Sequence, residues 1–178
     1  MKISNKLIVL DRDGVINQDS SEYIKSIEDW KLYDSAVEAI RVFNKLKYKV
    51  IIATNQSGIS RGYYNVELLL KINMLLQSKL YAVGAKIDSV FFCPHLPEHK
   101  CLCRKPLPGM LSEILSRYSV KSNSLHFFGD SYKDFLAAKS IRAKFILIDT
   151  KSPSISSKFS SKIPIFQTLY DAALSYQH

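Results

Sequence analysis

Long apolar runs are what this 178-residue sequence most plainly lacks. Stretches such as Leu7 to Leu10 and Val50 to Ala53 fall far short of the ~18 to 20 residues a membrane helix needs, which excludes a spanning segment. The start is equally unsuited to a secretory leader. Ser4, Asn5 and Lys6 interrupt it, and Asp11 arrives before an apolar region of about 7 to 15 residues can form. The protein is therefore read as cytoplasmic. Glycine and proline are scarce, at six each, beside 47% hydrophobic and 23% charged residues, a balance outside the disordered and fibrous ranges. The length suits one domain with a substantial core, so residues 1–178 are expected to form a single unit. Cysteine is limited to three, an odd count that argues against a disulfide framework. Acidic residues are outnumbered 16 to 25, giving a net charge of +9, which favours anionic partners. No compact basic block accompanies that excess, so a small phosphorylated metabolite, nucleic acid and an anionic membrane surface all remain open.

What is present alternates between two patterns. Leu7 to Leu10, Val50 to Thr54, Val90 to Phe92, Leu125 to Phe128 and Phe145 to Ile148 are short, nearly all apolar runs, the signature of strands covered on both faces. Between them, Val37, Ile40, Phe43 and Leu46 repeat at helical spacing. Leu68 to Leu80 trace a helical face after the candidate cap Asn65. Pro108 can open a third helix, and a fourth is expected over Tyr132 to Ser140. The segment Thr150 to Lys162 reads as a surface loop, with a final strand and short helix from Ile163 onward. Alternating strands and helices predict an α/β fold with a mostly parallel sheet and helices on both faces.

Polar residues concentrate just past the strands: Asp11, Thr54 and Asn55, Cys93, and Gly129-Asp130. Open parallel sheets bind ligands beyond their carboxyl ends, so these residues are expected to converge. Asp11-Arg-Asp13-Gly14 sets two carboxylates two residues apart, and ordinary turn chemistry could account for that alone. Asp130 and Asp134 add two more at another strand end. Gathered carboxylates repel and rise in pKa unless a cation sits among them, and oxygen ligands of this kind suit Mg²⁺. Thr54, Asn55 and Ser57 can donate to phosphate oxygens, and Lys105 supplies a compact positive charge. In-line phosphoryl transfer needs a nucleophile, a metal and fixed donors. A carboxylate can be that nucleophile while a neighbouring acid protonates the leaving oxygen and later activates water.

A second cluster is Cys93-Pro-His95 with Cys101-Leu-Cys103, three thiolates and an imidazole that match structural Zn²⁺ of the Cys₃His type. Four protein ligands leave no open position, so this metal is expected to order Leu96 to Lys100 and thereby place Arg104 and Lys105. His99 is the alternative imidazole, with looser spacing. His126 lies inside a strand and reads as a satisfied core residue.

Asp11-x-Asp13-Gly14-Val15, Thr54-Asn55-Gln56, Lys105-Pro106 and Gly129-Asp130 to Asp134 resemble the four motifs of the haloacid dehalogenase-like phosphatases. The resemblance implies a capless Rossmann-like domain with Asp11 as nucleophile, Asp13 as general acid/base, and Thr54 and Lys105 as phosphoryl clamps. It further implies Asp130 as a Mg²⁺ ligand beside Asp11 and the main-chain carbonyl of Asp13, with Asp134 as a supporting carboxylate. With the zinc loop 93–103, the chain is similar over most of its length to the D-glycero-D-manno-heptose 1,7-bisphosphate 7-phosphatases and the related histidinol-phosphate phosphatases. That similarity covers Asp13 to Asn17, Thr54 to Gly62 and Arg104 to Met110. It implies substrate contacts from Asp19, Ser20, Ser21, Glu22 and Tyr23 and from Arg104, with Asn55, Gln56, Ser57 and Arg61 as further candidates. The second ligand pair comes sooner than in many heptose enzymes, and Ser131 stands where they often carry a basic residue.

The expectation is a Mg²⁺-dependent phosphatase acting on a small sugar bisphosphate for surface polysaccharide synthesis. Histidinol phosphate is an alternative, its amine calling for Asp19 or Glu22, as is a polynucleotide 3′-phosphate. A non-catalytic, zinc-stapled nucleic-acid module is the competing class. No basic stripe interleaved with aromatics marks a strand-binding groove, and four carboxylates would repel a polyanion. Neither a nucleic-acid nor a membrane partner is expected, and with no coiled-coil seam the chain is read as a monomer.

Overall fold

Six short strands, Leu7–Leu10 (β1), Lys49–Asn55 (β2), Ser89–Cys93 (β3), Leu125–Gly129 (β4), Lys144–Ile148 (β5) and Ile165–Phe166 (β6), pair in parallel in the order β3-β2-β1-β4-β5-β6. The computed structural model describes residues 6–150 and 156–177. Residues 151–155 of the expected surface loop therefore lie outside the described residues, as does the carboxyl-terminal His178. Among the described residues there are five α-helices: Asp34–Lys45 (α1), Val66–Tyr81 (α2), Gly109–Tyr118 (α3), Tyr132–Ser140 (α4) and Leu169–Leu174 (α5).

Successive strand residues face opposite sides of the sheet, and the apolar runs divide accordingly. Ile8, Leu10, Val50, Ile52, Phe128, Ile146 and Ile148 join the buried residues of α1, α2 and α5. Leu7, Val9, Ile51, Ala53, Phe127 and Leu147 join those of α3 and α4. Crossovers between parallel strands are right-handed. Winding outward from β1 to β3 therefore puts α1 and α2 on one face, and winding the other way to β4 and β5 puts α3 and α4 on the opposite face. The direction reverses between β1 and β4, which lie side by side. That is the point at which such sheets open a binding crevice.

The expected elements are present, with the additional strand and helix after Ile163 resolved as β6 and α5. Asn65 accepts a hydrogen bond from Leu68 N–H at 3.0 Å and starts α2. In α1 the buried residues are Ala36, Ala39, Ile40, Val42 and Phe43, while Val37 and Leu46 are only half-buried. Steps of three residues drift about 60° per step around a 3.6-residue helix, so Val37 and Leu46 fall at the margins of the seam and small alanines meet the sheet. The connections that follow β1 (residues 11–33) and β3 (residues 94–108) contain no α-helix. The carboxyl end of the sheet thus stays open, the capless form.

His126 is half-buried in β4 and shares a hydrogen bond of 2.6 Å with the Tyr176 hydroxyl. Burial, with Lys144 and Lys6 nearby, lowers its pKa to about 4. A folded value below the ordinary ~6.5 means that stability is complete above about pH 6.5 and declines as the pH falls toward 4. His126→Asn is expected to flatten this decline by less than about 2 kcal/mol, because the ring is partly solvent-screened. Urea midpoints of both proteins across that pH range measure it.

Candidate active site

Asp11 leaves β1 with its N–H bonded to the Phe128 carbonyl at 2.9 Å, so the ends of β1 and β4 are tied together. Gly14 then turns the chain with φ +82°, and a β-carbon there would run into the Asp130 carboxylate. Glycine is required for both reasons. Asp130 follows β4, and Asp134 points back from the first turn of α4. Carboxylate oxygens of Asp11, Asp130 and Asp134 come within 4.8 Å of one another. These residues, far apart in sequence, meet at the switch between β1 and β4.

Lys105 enters this acidic cluster from beneath. Its side chain is 2% exposed, and its Nζ lies 2.8 Å from Asp11 Oδ2 and 2.6 Å from Asp134 Oδ1. It also donates to the Ala53 carbonyl at 2.8 Å. Desolvation would drive the ammonium toward neutrality, but Asp11 and Asp134 outweigh it and raise its pKa. Asp11 is pushed well above the usual carboxylate range by burial first and then by Asp134, with Lys105 opposing and Asp130 adding to the rise. Three carboxylates around one ammonium leave a net charge deficit that a divalent cation would fill, and the all-oxygen donor set fits Mg²⁺. The other Asp11 oxygen accepts from Arg12 N–H at 2.7 Å, which orients the carboxylate.

Asp13 faces a different network. Burial would raise its pKa, but the Arg12 guanidinium, Asn17 and Gln56 together hold it below the usual range. Arg12 Nε and Nη2 donate to its two oxygens at 2.9 and 3.0 Å. Gln56 Nε2 donates to Asp13 and to Thr54 Oγ1 at 2.8 and 2.9 Å, while its Oε1 accepts from Arg12 and from Tyr64. Gln56 therefore has its amide engaged within the protein. Arg12 and Tyr64 were not singled out in the sequence. Arg12 left a signal in the Asp-Arg-Asp run, but Tyr64 had none, because only folding carries it across to Gln56.

A cavity of about 320 Å³ opens above the acids, lined by Asp11, Asp13, Asp19, Thr54, Asn55, Asp130, Ser131, Tyr132 and Lys133. Of the expected substrate contacts, Asp19 and Asn55 line it. Ser20, Ser21, Glu22 and Arg61 are exposed and do not, Ser57 is buried behind, and Tyr23 turns its ring against Tyr63. Ser131 caps α4 and donates to Asp134 at 2.5 Å. The cation in the first turn of this helix is Lys133, which lines both this cavity and a neighbouring one of about 200 Å³ with Lys100 and Arg104.

The Cys93, His95, Cys101 and Cys103 donors also gather within 4.8 Å. The sulfurs are 3.3 to 3.6 Å apart and His95 Nδ1 is 3.3 Å from Cys103 Sγ. A tetrahedral Zn²⁺ with Zn–S near 2.3 Å calls for sulfur edges of about 3.8 Å, slightly wider than these, and the three sulfurs and one imidazole are the donor types that suit that ion. His99 stays exposed outside it. The cluster is coupled to the acids. Cys93 lies in register with Asn55, and Asn55 grips the main chain of Lys105 through both amide atoms, at 3.0 and 3.1 Å.

Comparison with known proteins agrees with this geometry. The polynucleotide kinase 3 phosphatase family model matches residues 6–157. A D-glycero-beta-D-manno-heptose-1,7-bisphosphate 7-phosphatase of Neisseria meningitidis is 34% identical over 172 residues, 96% of this chain and 92% of that protein. Its counterpart in Pseudomonas putida is 42% identical over 145 residues, 82% and 83% of the two chains. The crystal structure of D,D-heptose 1,7-bisphosphate phosphatase from B. bronchiseptica, complexed with magnesium and phosphate, superposes with a TM-score of 0.91. That protein is 34% identical, with 97% of this chain and 98% of that one covered.

Lys105→Met is expected to destabilise the fold by about 3–5 kcal/mol at neutral pH, because it strands two buried carboxylates. The deficit shrinks toward pH 5 as Asp11, whose pKa is raised by burial, takes up a proton, and urea unfolding at the two pH values measures the difference.

Proposed function

This chain belongs to the haloacid dehalogenase-like phosphatases, in the family of the polynucleotide kinase 3 phosphatase model, and from that membership we propose that it hydrolyses the 7-phosphate of D-glycero-D-manno-heptose 1,7-bisphosphate. It is a phosphoric monoester hydrolase, and the convergence of Asp11, Asp130 and Asp134 at the β1/β4 switch carries the reading. Membership of an enzyme family sets aside the non-catalytic nucleic-acid module.

In the proposed mechanism an Asp11 oxygen attacks phosphorus in line while the bond from phosphorus to the sugar oxygen breaks. Asp13 gives its proton to that departing oxygen. Arg12, Asn17 and Gln56 hold the pKa of Asp13 down, but a phosphate dianion beside it raises that pKa and lets it carry the proton. Asp13 then takes a proton from water, which attacks the phosphoryl group on Asp11 and releases phosphate. Lys105 opposes the rise in the pKa of Asp11 and aligns its carboxylate, and the Thr54 hydroxyl clamps an equatorial oxygen. Asp11, Asp130 and the main-chain carbonyl of Asp13 would hold Mg²⁺, which when bound would neutralise charge at the phosphate. Asp19, Arg104 and Lys133 stand where the sugar and its second phosphate would lie. Zn²⁺ on Cys93, His95, Cys101 and Cys103 is structural and stiffens the loop that delivers Lys105. Unpaired thiols suit a reducing compartment, so we assign the enzyme to the cytoplasm, as a monomeric single domain.

Phosphate release should be largest from the heptose bisphosphate in a panel that includes histidinol phosphate and a 3′-phosphorylated oligonucleotide. Asp11→Asn is expected to abolish turnover with an unchanged melting temperature, and a preference for either other ester would overturn the substrate assignment. Metal analysis should find about one Zn²⁺ per chain. Cys103→Ser should lose that ion and lower turnover through misplacement of Lys105.

A further inference from the structure

A cavity larger than the catalytic one lies elsewhere among the described residues. It measures about 580 Å³ against about 320 Å³ and is lined by twelve residues from four separate segments. Its location is fixed by register. His126 pairs with Lys144 at the start of β4 and β5, while Lys162, Ile163 and Pro164 lead into β6. Those are amino ends of the strands. Asp11 and Asp130 stand beyond the carboxyl ends, so the two cavities occupy opposite edges of the sheet.

The lining has a definite chemistry. Four of its side chains, Lys139, Arg142, Lys144 and Lys162, are cations, and none of the twelve is an acid. All four are exposed, and among the described residues none of them has an ion-pair partner. The remaining wall is apolar or aromatic, chiefly Phe135, Phe145, Ile163 and Tyr176. Cations that converge without counter-ions repel one another, and a polyanion relieves that repulsion. The depressed pKa of His126, to which Lys144 contributes after burial, reports the same positive field. Cavities of about 300 to 1,000 Å³ take small molecules. A ligand matching this one carries several phosphate charges at one end and a flat, weakly polar group at the other.

We propose that this amino-end cavity is a second ligand site, which binds a nucleoside polyphosphate with its phosphates among Lys139, Arg142, Lys144 and Lys162 and its base against the apolar wall. The site does not depend on the phosphatase reading, since it shares no residue with the catalytic cavity.

The test is titration of the nitrogen-labelled full-length protein with adenosine triphosphate, without added Mg²⁺, followed residue by residue by NMR. Saturable shifts are expected at residues 139–145 and 162–164, with little change around Asp11 and Asp130. Lys139→Ala/Lys144→Ala/Lys162→Ala should weaken binding roughly tenfold or more while leaving the melting temperature and the basal phosphatase rate unchanged. Inorganic triphosphate should bind more weakly than the nucleotide, and adenosine should not bind. Shifts confined to the surroundings of Asp11, unchanged affinity in the triple variant, or equal affinity for inorganic triphosphate would each overturn the proposal.

Discussion

A single ammonium group held beneath the surface by three oxygens is the constraint on which this site is built. Without Lys105, nothing would oppose the rise in the pKa of Asp11 that burial and the neighbouring Asp134 carboxylate cause. With it, that rise is opposed, although the cluster as a whole stays negative once Asp130 is included. The partial compensation is informative. A site neutralised completely by its own side chains would have no call for a divalent cation, and one left uncompensated would protonate.

Delivering that lysine explains much of the surrounding architecture. It comes from a loop with no regular structure beyond one short turn, and such loops are seldom rigid on their own. Here the loop is held at both ends. The Cys93, His95, Cys101 and Cys103 cluster gathers it just before Lys105, and Asn55 hydrogen-bonds the lysine's own main chain. Asn55 is the last residue of β2 and pairs with Cys93 at the end of β3, so one strand end supports both devices. Arg12 and Gln56 do the corresponding work for Asp13. The carboxylates of Asp11 and Asp13 thus lie two residues apart yet have opposite electrostatic surroundings, one raised in pKa and one lowered.

A parallel sheet gives its two ends different characters, since every strand points the same way. At the carboxyl ends, side chains released from the strands are acids, hydroxyls and amides that converge on one crevice. At the amino ends of β4, β5 and β6 the emerging groups are lysines and an arginine around an apolar wall. The overall charge of +9 is therefore not spread evenly. Part of it rims the acidic site through Lys100, Arg104 and Lys133, and part of it collects at the far edge.

The strands, the four helices with clear periodicity and the strand-end polar residues were legible in the chain itself. Hydrophobic runs without alternation identify a doubly covered sheet, and the spacing of Cys93, His95, Cys101 and Cys103 already describes a tetrahedral donor set. What the chain could not disclose is how each polar atom is used. Asn55 looked like a phosphate donor and Gln56 like a substrate contact, yet their amides are engaged by Asp13, Arg12, Tyr64 and the Lys105 main chain, partners separated by as many as 50 residues. Tyr64 and Lys133 carried no local signal, and neither did the cavity between α4, β5 and the approach to β6. Residue type and local spacing set which chemistry is available, because propensity and ligand preference act over a few neighbouring residues. Which atoms are left free to perform it was decided only by tertiary packing, since burial and hydrogen-bond partnership depend on segments that meet only once the sheet has formed.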